Sequence, residues 1–379
     1  MAPGESFSEA LQDIHIMKRI KVNLGKRSYA IAVGSGILKY LPVYLKSLNL
    51  PRELFVITNS RIKNQYGAQL KACLGKGGFS SKFYTTMDSE KAKSINNAVR
   101  TIEFLADYAK QKKIALVAFG GGVIGDLSSF IASIYKRGVP LVQIPTTLLA
   151  QIDSSIGGKT AIDLKMAKNL VGTFYQPRLV FCELDLLMTL DKKQLRAGLS
   201  EAVKYALIQD GKLFRFLEEE YQSIFSKDTQ ALERLVFECA RIKARVVELD
   251  EKEEKGLRTI LNFGHTIGHA VEAAGDYDKY SHGEAVSLGM LASLRISQNM
   301  GMLDSMVYRR IANLIAHVGG PQEIEGLKER DVLTAYKLDK KFIGRTNRFV
   351  LLKGIGKPVV CKNIPENIIY KAVRELFVS

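Results

Sequence analysis

At 379 residues, with 46% hydrophobic and 25% charged side chains, the chain has an ordinary globular composition and length enough for two cores. Its formal net charge of +16 comes from lysines and arginines interleaved with acids, without a basic run or an aromatic–basic RNA motif. That pattern argues against nucleic acid as the partner and for a positive field that attracts small anionic substrates.

In chain order, residues 1–17 are polar and irregular and read as a flexible extension, lacking the charged start and apolar core of a secretory signal. Residues 19–24 and 29–33 flank a Gly-Lys-Arg turn and read as a hairpin. An alternation follows: strand 54–58, helix near 65–74, strand 81–84, helix 92–111, strand 114–119, then short apolar runs at 141–144 and 179–183. This repetition predicts a parallel, doubly wound α/β domain over 18–186. From about residue 187 the apolar spacing becomes helical, at 196–206, 213–221, 229–250, 259–274, 283–300 and 306–316, with an extended return at 348–352. Residues 187–379 are therefore expected to form a helical second domain. No apolar run approaches membrane-spanning length. Cys73, Cys182, Cys239 and Cys361 lie far apart with no CxxC, which fits a reducing compartment, and the expectation is a cytoplasmic protein without a membrane partner.

Three stretches carry candidate chemistry. Strand 114–119 runs into Gly120-Gly121-Gly122-Val123-Ile124-Gly125-Asp126, where glycines permit a sharp turn and the next helix offers free N–H groups to phosphate. The spacing is not GxGxxG, and a plain strand-to-helix turn is the competing reading. Thr146 and Thr147 follow the strand at 141–144, at the carboxyl end where open α/β sheets bind ligands. Next, Asp153-Ser154-Ser155-Ile156-Gly157-Gly158-Lys159-Thr160, with Lys168-Asn169 beyond it, joins close backbone approach to cations and an amide, which suits a phosphate or carboxylate. Third, three of the five histidines, His265, His269 and His282, fall within eighteen positions. A histidine cluster of this kind suggests a metal site, with Glu201 of Ser200-Glu201-Ala202-Val203-Lys204 an attractive acid partner. The plain alternative for Glu201 and Lys204 is a solvent-exposed intrahelical pair.

In this order GGGVIGD, QIPTTLLAQIDSSIGGKT, KN, RAGLSEAVKY, GLRTILNFGHTIGHA and SHGEAV resemble the 3-dehydroquinate synthases, from about residue 20 to the C-terminus. The resemblance implies an NAD-binding Rossmann-like α/β domain, a helical metal domain, and an active site in the cleft between them. It implies zinc, with cobalt as a substitute, on Glu201, His265 and His282, and makes His269 a base or hydrogen-bond partner instead of a ligand. For NAD it implies Asp88, Glu90 and Lys93, the turn Gly121, Gly122, Val123, Ile124, Gly125 and Asp126, then Thr146, Thr147, Lys159, Lys168, Leu186, Leu187, Met188, Thr189 and Asn59. Implied substrate contacts are Asp153, Lys159, Lys168, Asn169, Lys204, Lys243, Arg258, Asn262, His269 and Lys357. Arg137 resembles an arginine that reaches a neighbouring subunit's phosphate, which implies a homodimer. Ser89 stands where a glycine is common, and the 250–258 segment is one residue longer than usual, so Glu253 and Glu254 are both candidates for its acid contact.

The implied reaction starts from 3-deoxy-D-arabino-heptulosonate 7-phosphate. Its C5 hydroxyl is oxidised by NAD, phosphate is eliminated, the hydride returns, and the opened ring recloses by an intramolecular aldol step without net redox. The substrate phosphate is itself a candidate base for the C6 proton, held by Lys159, Asn169, Asn262, His269, Lys357 and Arg137, while Lys243 and Arg258 orient the carboxylate and hydroxyls. Two rivals remain: another sugar phosphate cyclase of the 2-deoxy-scyllo-inosose or valiolone type, and a metal-dependent polyol dehydrogenase that would release NADH. Against the first, Lys243, Asn262, His269 and Lys357 are of the dehydroquinate type.

Overall fold

The structure, a computed structural model, describes residues 17–164, 167–343 and 346–377. The extension expected at 1–17 lies outside the described residues except for Met17, which is buried and accepts a hydrogen bond from the Tyr44 hydroxyl at 3.1 Å. The chain divides into two compact units, one up to Leu190 plus Leu232–Glu248, the other Asp191–Ala231 plus Leu249–Ser379.

The first unit is built on strands β1 (Lys18–Val22), β2 (Tyr29–Gly34), β3 (Glu53–Asn59), β4 (Ser80–Thr86), β5 (Ile114–Gly120), β6 (Leu141–Pro145) and β9 (Leu179–Glu183). They form one sheet in the order β1-β2-β9-β6-β5-β3-β4. Only β1 runs antiparallel, paired with β2 as the expected hairpin; the others are parallel. Parallel strands covered on both faces need apolar side chains at every position, and β5 is buried throughout. Successive residues then serve opposite cores. Leu54 and Val56 pack with Leu41 and Tyr44 of α1 (Leu41–Ser47) and Leu70 and Leu74 of α2 (Ala68–Lys76). Phe55 and Ile57 pack with Leu105 of α3 (Ile95–Tyr108) and Leu127 and Ile131 of α4 (Gly122–Ile134). Each such side chain contributes about 1.5–3 kcal/mol by leaving water.

A short antiparallel pair, β7 (Ile162–Leu164) and β8 (Ala167–Val171), carries Lys168 and Asn169 and was not among the expected elements. Its residues are few and irregularly patterned. Helix α3 is shorter than the expected 92–111, because Ser94 caps it by accepting from the Asn97 N–H and a separate 3-10 turn spans Glu90–Ala92.

In the second unit, α5 (Lys192–Gln209) starts at an N-cap, Asp191, which accepts from the Gln194 N–H. Asp210 ends that helix and caps the next, α6 (Gly211–Phe225). Helix α7 (Thr229–Leu249) sends Leu232–Glu248 back to the first unit, which corrects the simple expectation that everything after residue 187 is one helical domain. The physical reason is its contacts there: Glu233 with Lys18 at 3.0 Å, Glu248 with the Asn23 side chain at 2.9 Å, and Lys243 with Asp153 at 2.6 Å.

The helix expected over 259–274 is divided. A 3-10 segment, Leu257–Asn262, ends at Phe263, and α8 (His265–Ala274) begins after Gly264 at φ 79°. Helix α9 (His282–Asn299) follows, opened by a capping box of Ser281 and Glu284. A Cβ on Gly289 would stand 1.8 Å from the Gly264 carbonyl oxygen, so α8 and α9 cross backbone to backbone. Similarly, a Cβ on Gly283 would stand 2.4 Å from Ala197 Cα, which seats the start of α9 on α5 one turn from Glu201. Beyond these lie α10 (Ser305–His317), α11 (Glu329–Ile343), the hairpin β10 (Arg348–Leu352) and β11 (Pro358–Lys362), and α12 (Glu366–Arg374). Of these, β10 and most of α10 are legible in the sequence, whereas α11, β11 and α12 are not.

Candidate active site

In the first unit, the Gly120–Asp126 turn joins β5 to α4, with Gly121 as N-cap. Its glycines are packed as well as bent. A Cβ at Gly121 would lie 3.1 Å from Thr147 Cγ2, and one at Gly122 would lie 3.1 Å from Ser154 Oγ. Thr146 anchors the turn from β6, its N–H donating to the Gly120 carbonyl at 3.0 Å, while the Thr147 hydroxyl accepts from the Ala150 N–H at 3.2 Å. Val123 and Ile124 ride on the first turn of α4, where Ile124 is buried.

Lys93 is the cation of this region. Its buried ammonium donates to Asp126 Oδ2 at 2.8 Å and Asn169 Oδ1 at 2.5 Å, with Glu90 at 3.4 Å. Burial works against that charge, but Asp126 and Glu90 outweigh it and hold Lys93 protonated well above the ordinary lysine range. Asn169, at φ 55°, is fixed from the other side by Asp163, which accepts its N–H at 2.8 Å. Asn59 accepts the Ile62 N–H and donates to Asp88 Oδ1 at 2.6 Å. Thr189 meets the Tyr66 hydroxyl at 2.8 Å, whereas the side chains of Leu186 and Leu187 are buried in the protein and Met188 is half-buried. Asp153, on the helical turn Ala150–Ser154, accepts from Lys243 through both Oδ1 and its own carbonyl. Lys159 is exposed, Lys168 half-buried, and Arg137 exposed at φ 64° beside Lys136 at φ 48°.

The second unit brings one carboxylate and two imidazoles together. Glu201 of α5, His265 of α8 and His282 of α9 each offer a ligand atom, all within 4.8 Å of one another. Glu201 Oε1 is 3.3 Å from His282 Nε2 and 3.6 Å from His265 Nε2. Its side chain is fully buried and also pairs with the equally buried Lys204, so the solvent-exposed reading of that pair is wrong. Each imidazole is held from behind: His265 Nδ1 meets the Phe263 carbonyl at 3.1 Å, and His282 Nδ1 meets Glu272 at 3.4 Å. Burial, reinforced by Lys204, pushes His265 down to about 3, so it is neutral. Burial also opposes charge on His282, but hydrogen bonds to Glu201 and Glu272 prevail and raise it to about 10. An oxygen and two imidazole nitrogens, with the far nitrogens engaged, fit a zinc-type divalent ion.

His269 lies one turn from His265, ring centroids 5.4 Å apart, but outside this donor group and exposed. Asn262 is exposed on the preceding 3-10 segment, and Lys357 is exposed on the β10–β11 turn. Arg258 is buried, with Glu253 Oε1 at 3.3 Å from Nε and the Glu251 carbonyl at 2.8 Å from a terminal nitrogen; Asp250 accepts its N–H at 3.2 Å. Of the two acids left open by the sequence, Glu253 is the one paired with Arg258. Sequence reasoning missed Glu272 and Asp163. Glu272 had a legible signal, since it follows His265 by seven positions and His269 by three on one helical face; Asp163 had none.

This chain matches the family described as 3-dehydroquinate synthase N-terminal over residues 83–197 and that described as 3-dehydroquinate synthase C-terminal over residues 198–342. It is 41% identical over 351 residues to the 3-dehydroquinate synthase of Desulforamulus reducens, covering 92% of this chain and 98% of that one. Among solved structures it resembles 2-epi-5-epi-valiolone synthase from Streptomyces hygroscopicus with NAD+ and Zn2+ bound, at a TM-score of 0.85 and 26% identity over 93% of this chain and 98% of the other. It also resembles 2-deoxy-scyllo-inosose synthase complexed with carbaglucose-6-phosphate, NAD+ and Co2+, at a TM-score of 0.83 and 26% identity over 95% and 100%. A doubly wound sheet with a glycine turn, a helical unit with a carboxylate–imidazole cluster and these matches agree: the chain belongs to the 3-dehydroquinate synthase family.

Proposed function

We propose that the chain converts 3-deoxy-D-arabino-heptulosonate 7-phosphate into 3-dehydroquinate and phosphate, with NAD and a divalent ion, zinc or cobalt. The observation that carries this reading is the Glu201–His265–His282 donor set, with Glu201 fully buried, within a chain of this family. Higher identity to the dehydroquinate synthase of D. reducens, 41% against 26% for the valiolone and inosose synthases, favours the first substrate over theirs. When bound, NAD supplies a hydride acceptor and the metal a Lewis acid.

The chain's own residues supply position and charge. In the first unit, NAD is assigned to Asn59, Asp88, Glu90, Lys93, the Gly121–Asp126 turn, Thr146, Thr147, Lys159, Lys168 and the 186–189 segment. Lys93 keeps its charge there because two carboxylates face it. Lys243 is oriented by Asp153 for a substrate carboxylate or hydroxyl, and Lys159 and Asn169 are assigned to phosphate. In the second unit, Glu201, His265 and His282 hold the metal, while Asn262, His269 and Lys357 are assigned to phosphate. Arg258, oriented by Glu253, presents a guanidinium to oxygen ligands. Lys204 sets a positive charge beside the donor cluster. Fixed cations of this kind stabilise developing oxyanions without reorganising. The exposed, left-handed Arg137 is assigned to a second subunit's phosphate in a homodimer. Among the described residues no helix is long and apolar enough to cross a membrane; the free cysteines support a cytoplasmic location.

The test compares phosphate release from heptulosonate phosphate and from glucose 6-phosphate, before and after chelation. Release from the first alone, lost on chelation and restored by zinc, is expected. Preferential turnover of glucose 6-phosphate would place the chain with the inosose-type cyclases instead.

A further inference from the structure

The imidazole of His282 stands between two carboxylates. Its Nε2 lies 3.3 Å from Glu201 Oε1, and its Nδ1 lies 3.4 Å from Glu272 Oε1. His265 is backed differently, by the neutral Phe263 carbonyl at 3.1 Å. In both rings the nitrogen facing away from Glu201 is engaged, which fixes the ring plane and directs Nε2 toward the donor cluster. The Glu272 carboxylate is placed by α8, on the face that carries His265 and His269, and is buried at 8% exposure. It is not one of the three clustered donors. The loop between α8 and α9 also holds the start of α9 in place: the Tyr280 hydroxyl donates to the Glu325 carbonyl at 3.0 Å, and the Lys279 ammonium to the Gly326 carbonyl. His282 therefore approaches Glu272 from a fixed backbone.

We infer that Glu272 is a positioning residue for the metal: it accepts the Nδ1–H of His282, holds Nε2 toward Glu201, and strengthens that nitrogen as a donor. This rests on the reading of Glu201, His265 and His282 as ligands. A carboxylate behind an imidazole draws the Nδ1 proton toward itself and leaves the opposite nitrogen richer in electrons. An amide in its place keeps the acceptor but loses the charge, and a methyl group loses both. Outer partners of this type change metal affinity by about 10- to 100-fold.

Zinc affinity of the full chain, measured by chelator competition, separates the possibilities for the parent, E272Q, E272A and H282A. The visible spectrum of the cobalt-loaded protein and the melting midpoint of the metal-free protein accompany it. H282A is expected to lose stoichiometric zinc, E272Q to bind about 10-fold more weakly, and E272A up to about 100-fold more weakly. The cobalt bands of both Glu272 variants should shift, although metal-free E272Q melts close to the parent. If E272Q and E272A hold zinc as tightly as the parent while H282A does not, Glu272 has only a packing role and the inference is overturned. If H282A also holds zinc like the parent, the ligand reading itself fails and takes the inference with it.

Discussion

Two histidines of the same cluster have their pKa values pushed in opposite directions, and the cause is what faces each ring. His265 is desolvated and near Lys204, whereas His282 meets two carboxylates. The sequence supplied three histidines, and helical spacing alone made His265 and His269 a pair. Only the family resemblance separated His269 from the ligand set, because spacing cannot say which ring points at a carboxylate on another helix. Glu201 could not be joined to them by counting, as it lies 64 positions before His265. Away from the site, Glu53 offers a pH test. Its carboxyl is held below the ordinary value of 4.5 chiefly by the Tyr108 hydroxyl at 2.6 Å, with Lys112 assisting. A depressed carboxylate stabilises the fold above its unfolded pKa, and that contribution is lost as pH falls through the folded value. Tyr108→Phe should therefore lower the melting midpoint at pH 7, by the equivalent of about 1 kcal/mol. In a melting series the deficit should shrink progressively as pH falls below the ordinary value of 4.5 and through the lower folded value. A deficit that persists at low pH would mean the hydroxyl acts through something other than the Glu53 charge.

At the scale of elements, the Glu201–His265–His282 cluster depends on helices that cross without side chains between them. Gly264 and Gly289 let α8 and α9 touch through backbone, and Gly283 does the same for α9 and α5. A single helix over 259–274 was the natural reading of its apolar spacing, yet Gly264 takes a left-handed conformation that ends one segment and starts another. That glycine had a legible role only once its partner at 289 was known. Gly289→Ala should force the helices apart, at a cost of about 1–3 kcal/mol from overpacking. Zinc retention should fall with the melting midpoint; unchanged retention would show that the crossing does not set the cluster. The strands of the large sheet were legible, most clearly the central ones, because parallel strands buried on both faces read as continuous apolar runs, whereas β11 was missed. The small β7–β8 pair was not, having neither length nor alternation.

For the whole molecule, composition foretold two units but not their bookkeeping along the chain, since α7 returns to the first unit through contacts made by Glu233, Lys243 and Glu248. Such returns depend on tertiary pairing and leave no local signature. The +16 charge has a kinetic meaning if the substrate is an anion. Raising salt from about 20 to about 200 mM should lower kcat/KM for heptulosonate phosphate several-fold while leaving kcat little changed, as screening shortens the reach of the field. Equal falls in both would point to a local effect of salt on the chemistry. Ring formation with NAD used and regenerated in each turnover leaves a distinct product balance, measured with heptulosonate phosphate in large excess over NAD while phosphate, dehydroquinate and NADH are followed together. Equal amounts of phosphate and dehydroquinate, many turnovers per NAD, and no accumulating NADH are expected. Net NADH in step with substrate loss, or no phosphate release from the zinc-loaded protein, would contradict this reaction.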